Sequence, residues 1–123
     1  MKNTPRKIMI VKLDKLFSTY MRAKNEYRCE YCDNGGRTEN HHGVVHRRYM
    51  NTRYNEENCV CLCSGCHRLF SDFPRINNDF FIKRNGSDSL EEIEILARSG
   101  KKVTLEELEA LYEKYSKLLK RIQ

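Results

Sequence analysis

The sequence predicts a single small α+β domain: an N-terminal helix, a cysteine- and histidine-rich centre of short strands and a helix, then further helices. Three observations carry this. Apolar residues recur at helical spacing before residue 25 and again after residue 76, but not between. The intervening segment instead alternates polar and apolar residues around Gly-rich turns. A length of 123 residues suits one domain, divided into an N-terminal helix at 1–27, a core at 28–85 and a helical extension at 86–123.

Each element has a local cause. Thr4-Pro5 reads as an N-cap followed by proline in the first turn, opening a helix over 5–25 whose stripe includes Leu13, Phe17, Tyr20 and Met21. Gly35-Gly36 marks a turn, residues 37–42 suit a strand, and Val44-Val45 starts another segment after Gly43. Residues 47–57 are polar and arginine-rich, and read as a loop. Residues 58–63 alternate as a short strand, and a helix runs from Gly65 to about Phe73, stopped by Pro74. A further helix covers 76–84 and ends at Asn85-Gly86. Asp88-Ser-Leu-Glu91 and Thr104-Leu-Glu-Glu107 resemble capping boxes for helices to about Arg98 and Arg121. The stripe of the last helix, with Leu108, Leu111, Tyr115 and Leu118, is either core or in part a dimer surface. Monomer and homodimer through the C-terminal helices therefore both stay open.

Composition narrows the class. Only 39% of the residues are hydrophobic and there is no Trp, so the core is modest and a structural metal is a natural supplement. The first ten residues are charged and hold no apolar run long enough for a signal segment or membrane span, so a cytoplasmic protein without a membrane partner is expected. In a reducing compartment, paired cysteines point to metal rather than disulfides. The net charge is +6, and it is uneven: residues 1–87 hold 16 Lys and Arg against 9 Asp and Glu, residues 88–123 only 7 against 8. A basic surface over the cysteine and histidine segment favours a polyanion, nucleic acid being the commonest, although a merely soluble basic protein has the same balance.

Cys29-x-x-Cys32 and Cys63-x-x-Cys66, separated by 30 residues, have the spacing of two knuckles that close one tetrahedral zinc site. Four sulfur ligands leave no open coordination position, so this Zn2+ is expected to be structural. Two matched pairs argue against a redox dithiol, and Cys59 and Cys61 read as small buried residues beside the site. His41 and His42 are then free for other work. Successive strand residues face opposite ways, which suggests that one binds a second metal while its neighbour addresses a reacting group. His67, directly after Cys66, can supply a further ligand.

His41-His42, then Arg47-Arg48, Asn58 and Leu62-Cys63-x-x-Cys66-His67 together resemble the HNH endonuclease family. This is a ββα-metal nuclease core, here in the subclass with a four-cysteine zinc site, and the pattern is similar to small bacteriophage-encoded HNH proteins. The resemblance covers about residues 29–85 and implies a DNA partner, with a host-cell cytosol location for a phage-encoded chain. By position it implies His41 and His67 as ligands of a catalytic divalent metal, His42 as general base, and Asn58 as the residue orienting that base through the inter-strand loop. The chemistry asks for the same types: a base neutral at physiological pH and a cation to offset charge on the phosphate. Two protein ligands suit Mg2+ or Mn2+, while imidazole also accepts Ni2+ or Zn2+. Ser71 or Asp72 could add a third ligand, with helical geometry favouring Ser71, and His46 is a competing ligand or a DNA-facing residue. Arg47, Arg48, Arg53 and Arg68 are candidate phosphate contacts, and Tyr49 and Tyr54 either stack on a base or pack. Two alternatives stand beside this reading: a zinc-stabilised nucleic-acid-binding protein without cleavage activity, and a structure-selective nuclease for branched DNA.

Overall fold

The computed structural model describes residues 3–123. Helix α1 (Pro5–Ala23) starts as expected, with the Thr4 side chain accepting from the Lys7 N–H and Pro5 in the first turn. It ends where Glu26 and Tyr27 adopt positive φ (56° and 58°), backbone that no right-handed helix continues. Strands β1 (Thr38–His42) and β2 (Cys59–Cys63) form a two-stranded antiparallel sheet with His41 opposite Val60 and His42 opposite Cys59.

The connection between the strands departs from expectation. Val44 and Val45 start no strand, because both N–H groups donate to the Asn58 side chain instead of to a ladder. Residues 47–57 are not simply a loop: they hold helix α2 (Met50–Arg53), and a 3-10 turn at Glu56–Asn58 follows. Beyond β2, Cys63 caps α3 (Ser64–Asp72) through its sulfur, which accepts from the Cys66 N–H. Pro74 ends α3 and at once opens α4 (Pro74–Asn85), being tolerated in a first turn. Helix α5 (Ser87–Arg98) begins before Asp88, with Gly86 at φ 89° as its cap and no side-chain cap, so the first expected capping box does not form. The second does: around α6 (Leu105–Ile122), Thr104 and Glu107 exchange hydrogen bonds of 3.0 and 3.1 Å.

Two small cores flank the sheet. Alternation sends Asn40, His42 and Cys59 to one face, and Glu39, His41, Val60 and Leu62 to the other. On the first side, Leu13, Phe17 and Met21 of α1 pack with Leu108 and Tyr115 of α6, with Phe17 and Tyr115 edge to face at 4.9 Å. The stripe on α6 is therefore core packing against α1. On the second side, Val60 and Leu62 meet Cys29, Phe70 of α3 and Phe81 of α4. Cys59 and Cys61 are fully buried, as expected, and burial pushes the Cys59 thiol up to about 12. Gly43, just past β1, sits so close to α4 that a Cβ there would lie 2.1 Å from the Phe81 ring. No described helix is long and apolar enough to cross a membrane.

Candidate metal centre and histidine cavity

The four knuckle cysteines come together at one end of the sheet, one pair before β1 and the other at and after the end of β2, with all four sulfur atoms within 4.8 Å of one another. Cys32 Sγ and Cys63 Sγ are 3.7 Å apart, close to the edge of about 3.8 Å that a tetrahedron with Zn–S bonds of about 2.3 Å requires. In each knuckle a backbone N–H donates to the first sulfur, Cys32 N–H to Cys29 and Cys66 N–H to Cys63. Burial pushes the Cys29 thiol up, but backbone donors from Cys32, Cys63 and Tyr31 outweigh it and bring the thiol down to about 7. Burial and the crowding of the other sulfurs push Cys66 up. One thiolate is thus favoured and its neighbour disfavoured, and a divalent cation is what lets all four ionise together. Donor type, number and spacing fit a metal such as zinc, and among the described residues this is the one cluster of three or more His, Cys, Asp or Glu groups that converge in this way.

Next to it lies a cavity of about 470 Å³ whose walls include His41, His42, His46 and His67. These are all four histidines of the chain. His41 and His67 face each other with ring centroids 4.8 Å apart. Each has one nitrogen committed. Asn77 of α4 donates from Nδ2 to the Gly43 carbonyl at 2.8 Å, so its Oδ1 accepts from His41 Nε2 at 2.9 Å. Glu39 Oε1 accepts from His67 Nδ1 at 2.7 Å. His41 Nδ1 and His67 Nε2 are left with lone pairs, the state that metal-ligating histidines hold when an outer partner takes the other nitrogen. Burial, assisted by His67, holds His41 below the ordinary imidazole range.

His42 is positioned differently. Its Nε2 donates to the Arg53 carbonyl at 2.9 Å, leaving Nδ1 as a free acceptor. Burial is the main reason its pKa falls to about 4, with Arg47 and Arg53 adding positive charge nearby, so the ring is neutral at physiological pH. Asn58 is fully buried and uses its whole amide: Oδ1 accepts from Val44 and Val45 N–H at 3.1 and 2.6 Å, and Nδ2 donates to the Val45 and Thr52 carbonyls at 3.0 and 3.2 Å. Because Thr52 precedes Arg53, Asn58 fixes the backbone that carries the acceptor for His42. It does not line the cavity and is a positioning residue.

The remaining expected residues divide. His46 lines the cavity, exposed, with Nδ1 accepting from the Arg48 N–H at 3.0 Å. Ser71 lines it too, whereas Asp72 does not. Arg53 turns inward onto Asp14 of α1, with bonds of 2.9 and 2.5 Å, and Arg47 reaches the same carboxylate at 3.1 Å. Arg48 lies over the Tyr49 ring, Arg68 is exposed, and Tyr54 packs in the core with its hydroxyl donating to Asp14 at 2.7 Å. Asp14, Glu39 and Asn77 were missed by sequence reasoning. Only Glu39 carried a signal, two residues before His41 on the same strand face.

No family model, curated protein or solved structure matches the chain. Its class is that of a small α+β fold with a four-cysteine centre that fits zinc, set against a histidine-lined cavity.

Proposed function

We propose that the chain is a metal-dependent DNA endonuclease of HNH type, hydrolysing phosphodiester bonds. The observation that carries this is the convergence of all four histidines on one cavity, with His41 and His67 face to face and His42 held by a backbone carbonyl. On this reading the four cysteines hold a structural Zn2+. His41 and His67 hold a catalytic divalent cation, Mg2+ or Mn2+, with Ni2+ or Zn2+ also acceptable to imidazole. Such a cation, when bound, offsets the charge that grows on the phosphate and the leaving oxygen.

The chain's own part follows from hydrogen bonding. His42 Nδ1 takes a proton from the attacking water as the new P–O bond forms; the 3′ oxygen leaves with the bonding electrons and takes a proton from solvent, giving a 5′-phosphate and a 3′-hydroxyl, and His42 returns its proton to solvent. The Arg53 carbonyl keeps the proton on Nε2, so Nδ1 stays available. Asn77 and Glu39 orient the two ligand rings.

Duplex, nicked, branched and single-stranded DNA incubated with the zinc-loaded protein and Mg2+, Mn2+ or Ni2+ test the reading. Cleavage of at least one substrate is expected, falling roughly 10²-fold to 10⁴-fold in His42→Ala while DNA binding persists. Absence of cutting on all four, with zinc retained, would overturn it. Binding without cutting would instead support the alternative of a zinc-stabilised DNA-binding protein, and cutting confined to branched DNA the structure-selective one.

A further inference from the structure

A second recess of about 530 Å³ adjoins the histidine cavity, sharing Ser18, Asn40 and His67 with it. Arg22 of α1 and Arg37, in the turn before β1, form its outer wall, together with Gly36, Thr38 and Glu39. From this juxtaposition we infer that the recess is a phosphate subsite for the nucleic-acid strand, adjacent to the phosphate that reacts beside His42. The inference rests on the nuclease reading for its ligand, but it assigns two residues outside the motif positions, Arg22 on α1 and Arg37 just before β1.

The distribution of charge carries it. Of the arginines near the histidines in sequence, Arg53 and Arg47 pair with Asp14, while Arg48, over the Tyr49 ring, and the exposed Arg68 line neither the cavity nor this recess. Among the described residues, Arg22 and Arg37 have no carboxylate within ion-pair distance. Arg22 is held in place without being neutralised: its Nε donates to the Ser18 carbonyl at 3.3 Å and its guanidinium lies 5.8 Å from the Tyr27 ring centroid. Its terminal nitrogens have no protein acceptor, and such a fork matches two phosphate oxygens. Glu39, the one carboxylate on the wall, accepts from His67 Nδ1 and keeps its charge, so the wall carries two guanidinium groups against one carboxylate. A strand whose reacting phosphate sits among the histidines therefore meets, past His67, two guanidinium groups without an ion-pair partner in a groove of net positive charge.

Anisotropy of a fluorescein-labelled DNA duplex, measured over a salt series without added divalent metal, tests the subsite in the full-length chain. Arg22→Ala and Arg37→Ala are each expected to weaken binding about tenfold at low salt and to reduce the slope of log K against log salt by about one. Arg37→Lys should keep that slope, and Arg121→Ala, in the exposed last turn of α6, should match wild type. With Mn2+ present, the two alanine variants should raise KM and leave kcat in place. Arg37 is exposed, so its variant tests the idea even where Arg22→Ala perturbs α1. Wild-type affinity, slope and KM in both alanine variants would overturn the subsite while leaving the nuclease reading intact. Arginine-dependent binding by a protein that cuts nothing would support the subsite and remove the nuclease reading, and a wild-type protein that binds no DNA would end both.

Discussion

The cysteine centre and the histidine cavity meet at Cys66 and His67, successive residues of α3, yet they are built to opposite specifications. Around the four cysteines, every donor is a sulfur and the knuckle N–H groups close around them. In the cavity, two imidazoles face each other with their outer nitrogens fixed by Asn77 and Glu39, and the space in front stays open. The difference teaches how one short segment divides labour. Saturated coordination suits a centre that contributes folding free energy, whereas an unsaturated one leaves room for a substrate.

The sharpest way to break the comparison is to remove a sulfur. Cys66→Ala, or stripping metal with a strong chelator, is expected to cost most or all of the net stability, since structural zinc sites supply about 10 kcal/mol or more. Loss of the cooperative thermal transition, restored in wild type by added Zn2+, is the measurement. A next step is Asn58→Ala, which orphans the Val44 and Val45 N–H groups and the Val45 carbonyl in the inter-strand loop and is expected to cost about 3 kcal/mol in urea unfolding. Zinc content should be unchanged, separating loop order from the cysteine centre.

Acid addresses the histidine side. His42 has a folded pKa of about 4, below the unfolded value of about 6.5, so the unfolded chain binds the extra proton between them. Stability contributed by neutral burial is full above the upper value, falls as pH drops through this window, and is lost by about 3 kcal/mol below it. Comparing wild type with His42→Gln isolates this slope from acid release of the thiolates: the variant should lose part of the pH dependence. The smallest expected effect belongs to Asn77→Ala, which frees the His41 ring. Mn2+ affinity read by electron paramagnetic resonance should weaken by roughly tenfold, with the zinc centre untouched.

Much of the site's local grammar was legible in the chain. The C-x-x-C spacing predicted four converging sulfurs, because a knuckle is a property of four consecutive residues. Strand alternation correctly set His41 and His42 on opposite faces, although both line one cavity because the sheet ends there. What stayed hidden depends on long-range packing: Asp14 reaches Arg53 across 39 residues, and Asn77 reaches His41 across 36. Neither has a local period or spacing to betray it. Helix α2 was missed because its single turn is mostly polar, too short for a periodic stripe, and held partly from outside by Asn58 Nδ2 donating to the Thr52 carbonyl.

The Cys63 sulfur occupies two posts at once, as a member of the four-cysteine cluster and as the N-cap of α3. An oxidant that converts this atom to a sulfenic acid removes a ligand and uncaps the helix in one event. Since His67 rides on the first turns of that helix, the lesion reaches the cavity without touching a histidine. One sulfur thus couples the order of the cysteine cluster to the order of the helix that carries His67.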